Sequence, residues 1–365
     1  MDFRYSRPDL RGQQLRQRLE RLERLFNHLL LQADGEVEAA LRHLERIGRR
    51  YGLFDDDLGP EEFRRWLERR KLVRPARGGG LALTGRGEQG IRRQSLDTIF
   101  SSLQRGGAGD HRVADHGKGH ERLSETRPWE FGDSLDRLDA HGSLLNAMRR
   151  AGIGELELSE QDLEVFETEH LSSCATVLLI DVSHSMILYG EDRITPAKQV
   201  ALALTELIGT RYPKDSLDVV LFGDNAWQVP LEQLPYVSIG PYHTNTRDGL
   251  RMARELLRRK RHPNRQIFML TDGKPSCLTE DDGSLYKNPF GLDRRVVNKT
   301  LEEADWCRRV GIPVTTFMLT SDPTLVDFVE RFTRTNRGRA YYSGIDRLGA
   351  FVLVDYLANR KRRVR

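Results

Sequence analysis

The run ATVLLID at residues 175–181, followed at once by VSHS at 182–185, decides the fold. An uninterrupted apolar and β-branched stretch ending in a carboxylate has no polar face to offer solvent, as expected of a parallel strand with helices on both sides. Working outward, the pattern alternates. Thr195 and Pro196 read as the N-cap and first position of a helix with an inward stripe of Ala197, Val200, Ala201, Leu204, Leu207 and Ile208. Then follow a strand LDVVLF (217–222), a helix over 246–259, a strand QIFMLT (266–271), a helix near 296–310, a strand VTTFML (314–319), a helix from Pro323, a strand RAYYS (339–343) and a last helix from Ile345. This alternation predicts an α/β fold, a doubly wound and mostly parallel sheet over residues 161–365.

Ligands of open α/β sheets bind outside the carboxyl ends of the strands, so polar residues that terminate apolar strands are the candidates for chemistry. Three places qualify: Asp181-Val182-Ser183-His184-Ser185, His243-Thr244-Asn245-Thr246 ahead of a helix, and Thr271-Asp272-Gly273. Two carboxylates and several hydroxyls form an all-oxygen set suited to a hard cation such as Mg²⁺ or Mn²⁺. His184 lies inside the first loop, but no orienting partner is identifiable, so proton transfer does not follow from its presence.

DxSxS, a Thr loop and TDG, in this order on such a sheet, resemble the von Willebrand factor A (VWA) domain with its metal-ion-dependent adhesion site. The resemblance implies that Ser183, Ser185 and Thr244 are hydroxyl ligands, and that Asp181 and Asp272 hold the metal largely through bound water. Where many members have a Gly pair before the Thr, this chain has Tyr242-His243. Such a site binds and does not catalyse: neutral ligands leave a dication partly uncompensated, and an acidic side chain of a protein partner can supply the missing ligand. The stretches TRPWEFGDSLDRLD (126–139) and YGEDRITPAKQVALAL (189–204) look like those of bacterial intracellular members that work beside AAA+ ATPases of the MoxR or magnesium-chelatase type. That likeness implies an adaptor or co-chaperone.

In the N-terminal half, Leu15, Leu19, Leu22, Phe26 and Leu29, then Val37, Leu41, Leu44 and Ile47, predict a helical hairpin over 1–55. Residues 56–104 read as helix, two short strands and helix, a winged-helix-like unit. Residues 105–130 are rich in Gly and charge and read as a linker, in which His111, His116 and His120 fit no helical face. A connecting helical segment with Leu144, Leu145 and Met148 fills 131–160. The winged-helix-like unit leaves one alternative open, a DNA-binding regulator with the VWA domain as sensor or docking module. No array of base-reading side chains supports it.

Composition narrows the classes further. At 38% hydrophobic and 31% charged residues the chain is globular, and its formal charge of +4 is too mild to argue for nucleic acid. Residues 1–150 hold 29 basic and 24 acidic side chains, against 29 and 30 in the remainder. No apolar run approaches the roughly 20 residues of a membrane span. MDFRYSRPDLRGQQL carries no export signal, so the cytoplasm is the expected compartment. Cys174, Cys277 and Cys307 are too few and too scattered for a disulfide framework and read as reduced, packed thiols. A Walker-type phosphate loop is missing. Asp181 is not the nucleophile of a haloacid-dehalogenase-like phosphatase, because Ser183 stands where that chemistry needs a second aspartate. The polar connection 274–294 is expected at the rim of the metal face, shaping the partner surface.

Overall fold

A computed structural model describes residues 10–76, 78–105, 121–129, 138–152, 158–169, 173–240, 242–280, 282–288, 292–319, 322–342 and 347–360. The chain divides into two compact units: residues 1–107, 175–261 and 265–353 form the first, and 108–174, 262–264 and 354–365 the second.

The first unit is built on a six-stranded sheet of order β12-β11-β8-β5-β6-β7. Its strands are β5 (Cys174–Asp181), β6 (Ser216–Phe222), β7 (Ala226–Val229), β8 (Asn264–Thr271), β11 (Val314–Met318) and β12 (Arg339–Tyr342). Every residue of β5 is buried, as its unbroken apolar run demands. Only β7 runs antiparallel, as an edge strand hairpinned onto β6. Alternation along the strands sends Val177, Leu179, Val220, Phe222, Ile267, Met269, Val314 and Met318 to one face. There they meet Leu250, Ala253 and Leu257 of α7 (Thr246–Arg258), Val297, Ala304 and Cys307 of α8 (Arg294–Arg309), and Phe328, Val329 and Phe332 of α9 (Pro323–Asn336). Aromatic contacts run through the opposite face, from Phe268 to Phe317 to Tyr341 to Phe351 of α10 (Leu348–Arg360), with centroids 5.4–5.5 Å apart.

Helix α6 (Ile194–Arg211) follows β5 and is buried on almost every side. Its first turn differs from the expected one. The helix starts at Ile194 with Arg193 at the N-cap, so Thr195 lies inside it, and Asp192 Oδ1 accepts the Thr195 N–H at 3.0 Å. The outer side of α6 is covered by the N-terminal half, which comprises α1 (Leu10–Gln32), α2 (Val37–Tyr51), α3 (Pro60–Arg69), the hairpin β1 (Val73–Pro75) with β2 (Leu81–Leu83), and α4 (Gly85–Arg105). These are the hairpin and the winged-helix-like order of the sequence, but they share one core. Phe26 of α1 meets Phe63 of α3 edge-on at 6.1 Å, and Ile91 and Ile99 of α4 are buried. The contact with α6 contains a buried cation. Lys198 Nζ donates to Leu31 O at 3.0 Å and to Asp34 Oδ1 at 2.6 Å. Burial pulls the Lys198 pKa below its ordinary value, and the Asp34 carboxylate opposes that pull.

The second unit corrects two boundaries. Residues 121–128, within the stretch read as a linker, form β3 (Glu121–Pro128). It pairs antiparallel with β4 (Glu164–Glu169), which lies within the span 161–365 expected for the doubly wound sheet. The charged alternation of these strands hides them, because a two-stranded ribbon needs only one shallow apolar side. Helix α5 (Ala140–Ala151) lies within the connecting segment 131–160 and is joined to β4 where the Glu164 N–H donates to Ser143 Oγ at 2.9 Å. Arg150 forks onto Asp162 at 2.8–2.9 Å and holds that carboxyl well below the ordinary range. His111, His116 and His120 lie outside the described residues.

Candidate functional site

The chain leaves β5 to build β6 on one side and crosses back to add β8 on the other, so the switch point of the sheet lies between the carboxyl ends of β5 and β8. Asp181 closes β5 and Asp272 follows β8, which places both carboxylates there. Both are buried. The Ser183 N–H donates to Asp181 Oδ1 at 2.9 Å, and Thr271 Oγ1 donates to Asp181 Oδ2 at 2.6 Å. Ser183 Oγ and Ser185 Oγ are 3.1 Å apart, and Ser185 Oγ donates to Asp272 Oδ1 at 2.7 Å. A methyl group built on Gly273 would sit 3.0 Å from Thr244 Oγ1, 3.1 Å from Ser185 Oγ and 3.5 Å from Asp181 Oδ2. Three of the sequence-derived oxygens thus face one point that a glycine leaves open. Ser183 and Asp272 join them through Ser185, so all five residues come together.

Burial, and secondly the charge of Asp272, push the Asp181 carboxyl up to about 7. Its hydrogen bonds from Ser183 and Thr271 work in the other direction without prevailing. Among the described residues no three His, Cys, Asp or Glu side chains converge as a metal-binding group. The site has a different make-up, two carboxylates with three hydroxyls. An all-oxygen set in which three of the five side chains are neutral fits a hard dication in a partly hydrated shell.

Several residues outside the metal motif shape the site. Arg193 sits ahead of α6 and places Nη1 on Asp272 Oδ2, while its Nε and Nη2 donate to Glu191 Oε2 at 3.2 and 2.9 Å. Burial works against the Arg193 charge, but the hydrogen bonds to Glu191 and Asp272 outweigh it and raise its pKa. The Thr244 loop is held from two sides. Asp224 Oδ1 accepts the His243 N–H at 2.7 Å, and Ser276 Oγ accepts the Thr244 N–H at 3.0 Å. Tyr242 O accepts the His184 N–H at 3.1 Å, so the loop with Tyr242-His243 in place of a Gly pair is tied to the DxSxS loop. His184 is exposed.

The polar connection 274–294 contains a second hairpin, β9 (Cys277–Thr279) and β10 (Leu285–Lys287). It braces the loop ahead of α7: Asn245 Nδ2 donates to Thr279 Oγ1 at 3.0 Å, and Lys287 Nζ reaches Asp224 Oδ2 at 2.7 Å. Asp293 then caps α8 by accepting the N–H groups of Arg295 and Val296 at 2.8 and 3.1 Å. Cys174, Cys277 and Cys307 are free and buried, and burial raises the thiols of Cys277 and Cys307 to about 12.

The strand order, the crossover through α6 and the three polar strand ends define a VWA-type domain. Residues 174–357 match the VWA domain of Rv0959-like proteins, and residues 121–168, which span β3 to β4, match the third domain of the same proteins. The chain belongs to the Rv0959-like family. It is 35% identical over 266 residues to the uncharacterized protein Rv0959 of Mycobacterium tuberculosis and to Mb0984 of Mycobacterium bovis. Those matches cover 71% of this chain and 39% of the relatives, so the chain spans well under half their length. Among solved structures it is similar to the vWF domain of the pili tip protein Mfa5 from Porphyromonas gingivalis (TM-score 0.43, 11% identity, 53% of this chain and 98% of that one). It is also similar to the PilB minor pilin from Streptococcus sanguinis (TM-score 0.42, 15% identity, 57% and 66%). No helix among the described residues is long and apolar enough to cross a membrane.

Proposed function

We propose that the chain is a divalent-cation-dependent protein-binding module whose VWA domain holds Mg²⁺ or Mn²⁺ at Asp181, Ser183, Ser185, Thr244 and Asp272, and that it performs no catalysis. The observation that carries this reading is the convergence of Asp181, Ser185 and Thr244 oxygens on the point left open by Gly273, with Ser183 and Asp272 hydrogen-bonded into the same cluster. The bound ion would keep surplus positive charge, and a carboxylate from a protein partner would complete its shell. The partner class that the motif resemblance favours is an AAA+ ATPase of the MoxR or magnesium-chelatase type, with this chain as adaptor or co-chaperone in the cytoplasm. DNA binding through residues 56–104 finds no support in the packing, because α4 has its apolar face against α6 and Arg92 approaches Glu206 at 3.8 Å.

Capture from a lysate of the encoding organism, with the immobilised full chain in Mg²⁺ or in EDTA, tests the reading. An AAA+ ATPase should be retained in Mg²⁺ and lost in EDTA, and also lost with Asp181→Ala. Retention that ignores EDTA and the substitution would refute metal-dependent capture.

A further inference from the structure

Arg193 is the cation already present at this cluster. Its side chain is 11% exposed and that of Asp272 is fully buried. Both oxygens of Asp272 are engaged: Oδ1 accepts from Ser185 Oγ at 2.7 Å, and Oδ2 accepts from Arg193 Nη1. The other guanidinium nitrogens hold Glu191, whose carboxylate is more than half exposed and therefore screened by water. The backbone adds to the anchorage, since Met186 O accepts the Arg193 N–H at 3.1 Å. Asp192, the residue just before Arg193, accepts the Thr195 N–H in the first turn of α6 at 3.0 Å. The guanidinium is thus fixed by the chain on both sides and cannot swing away as a long surface side chain would.

The charges of the buried cluster then decide what it attracts. Asp181 and Asp272 bring two negative charges when ionised, and Arg193 returns one positive charge at short range in a poorly solvated setting, where its influence is large. With a dication added, the cluster passes from a net charge of minus one to plus one. Without Arg193 the same steps would run from minus two to zero. The arginine therefore opposes the metal and favours the ligand that follows it.

Resting on the metal-site reading above, we propose that Arg193 is the specificity-determining residue of the site: it weakens cation binding and gives the loaded site the unbalanced positive charge that selects a carboxylate ligand. A residue that merely supported the loop would move both affinities in the same direction when lost. A fixed charge moves them in opposite directions, and that opposition is the signature.

The full chain, stripped with EDTA, is titrated with Mg²⁺ by calorimetry as wild type, Arg193→Gln and Arg193→Lys. The Mn²⁺-loaded forms are then titrated with the capped peptide acetyl-Gly-Glu-Gly-amide, read as loss of the water-proton relaxation enhancement, with the Gln peptide as control. The expected result for Arg193→Gln is a metal dissociation constant lower by about tenfold or more and a Glu-peptide affinity lower by at least about threefold. Arg193→Lys keeps the charge and should stay within about threefold of wild type in both. If Arg193→Gln leaves either affinity unchanged, or weakens both, the inference is overturned while the metal site stands. If wild type takes up no Mg²⁺, it is the metal-site reading that fails.

Discussion

In EDTA above pH 7, Asp181→Asn should be more stable than wild type, and adding Mg²⁺ should close more than half of the gap. The folded protein holds the Asp181 carboxyl up to about 7, against 3.8 for the ordinary group, first through burial and then through the charge of Asp272. Below about pH 4 both folded and unfolded chains carry this proton, and the group makes no difference. Between there and pH 7 the unfolded chain releases a proton that the folded chain keeps, so metal-free stability falls as pH rises, and the fall is complete above 7. The asparagine is nearly the same shape, never ionises and can still accept the Ser183 N–H. It should therefore remove this loss, on the order of 4 kcal/mol. With the cation present the carboxylate becomes an asset. Binding to the folded state alone stabilises wild type by about 2.7 kcal/mol when the free ion stands at 100 times its dissociation constant, and the variant gains nothing comparable. Urea unfolding at pH 5 and pH 8, with EDTA and with Mg²⁺, measures all four corners. Equal stability of the two proteins at pH 8 in EDTA would contradict the buried-pair account.

Asn336→Ala should be among the most damaging single changes far from the site. Asn336 ends α9 and is buried beneath the start of β11. Its Oδ1 accepts the Val314 N–H at 2.7 Å, and its Nδ2 donates to Ala304 O at 2.9 Å. One side chain thus joins α9, α8 and β11. Alanine would strand the buried Val314 N–H where water cannot reach it, at about 1–3 kcal/mol, and would remove the second bond of Ala304 O, a helical carbonyl of α8, at about 0.5–1.5 kcal/mol more. The neighbouring backbone leaves little room for adjustment: a methyl on Gly338 would lie 1.9 Å from Val314 O. The total, about 1.5–4.5 kcal/mol, corresponds to a fall in melting temperature of roughly 5–15 °C. The folded fraction should keep its Mg²⁺ affinity, because the strands that carry Asp181 and Asp272 are untouched. A thermal melt unchanged within about 2 °C would show that this bridge contributes little.

What could be read in the sequence follows from what physical constraint shaped each segment. β5 is legible because a strand covered on both faces has only apolar residues to offer, and Asp181 and Asp272 stand out as the polar residues that end such strands, while Thr244 stands in the loop ahead of α7. β7 is not legible, since its four residues AWQV have one buried member and show no period. The three-residue strands β9 and β10 lie within turn-forming residues, and β3 and β4 are written largely in charge. Thr195 and Pro196 suggest a helix start two residues later than the one observed, where Arg193 is the N-cap and Ile194 the first residue. The docking of the N-terminal half has a signal in the sequence: Leu202 and Ala203 lie outside the inward stripe of α6, yet both are buried, on a helix that packs against α4 and α1.

At the site itself, the missed residues act through tertiary proximity. Thr271 was visible as part of TDG, but its bond to Asp181 joins residues 90 positions apart. Arg193 lies in the stretch 189–204 but outside the metal motif, and it reaches Asp272 across 79 positions. Asp224 and Ser276 hold the Thr244 loop from β6–β7 and from the hairpin connection. Motif spacing reports the residues that touch a ligand, whereas the groups that orient them are distributed by the fold and carry no fixed separation.

The central claim is that these oxygens bind a divalent cation, and calorimetric titration of Mg²⁺ into the EDTA-stripped full chain, beside Asp181→Ala, tests it most directly. Saturable binding of a single ion by wild type, with no heat of binding in the variant, is the result the account predicts. Indistinguishable isotherms from the two proteins would contradict it.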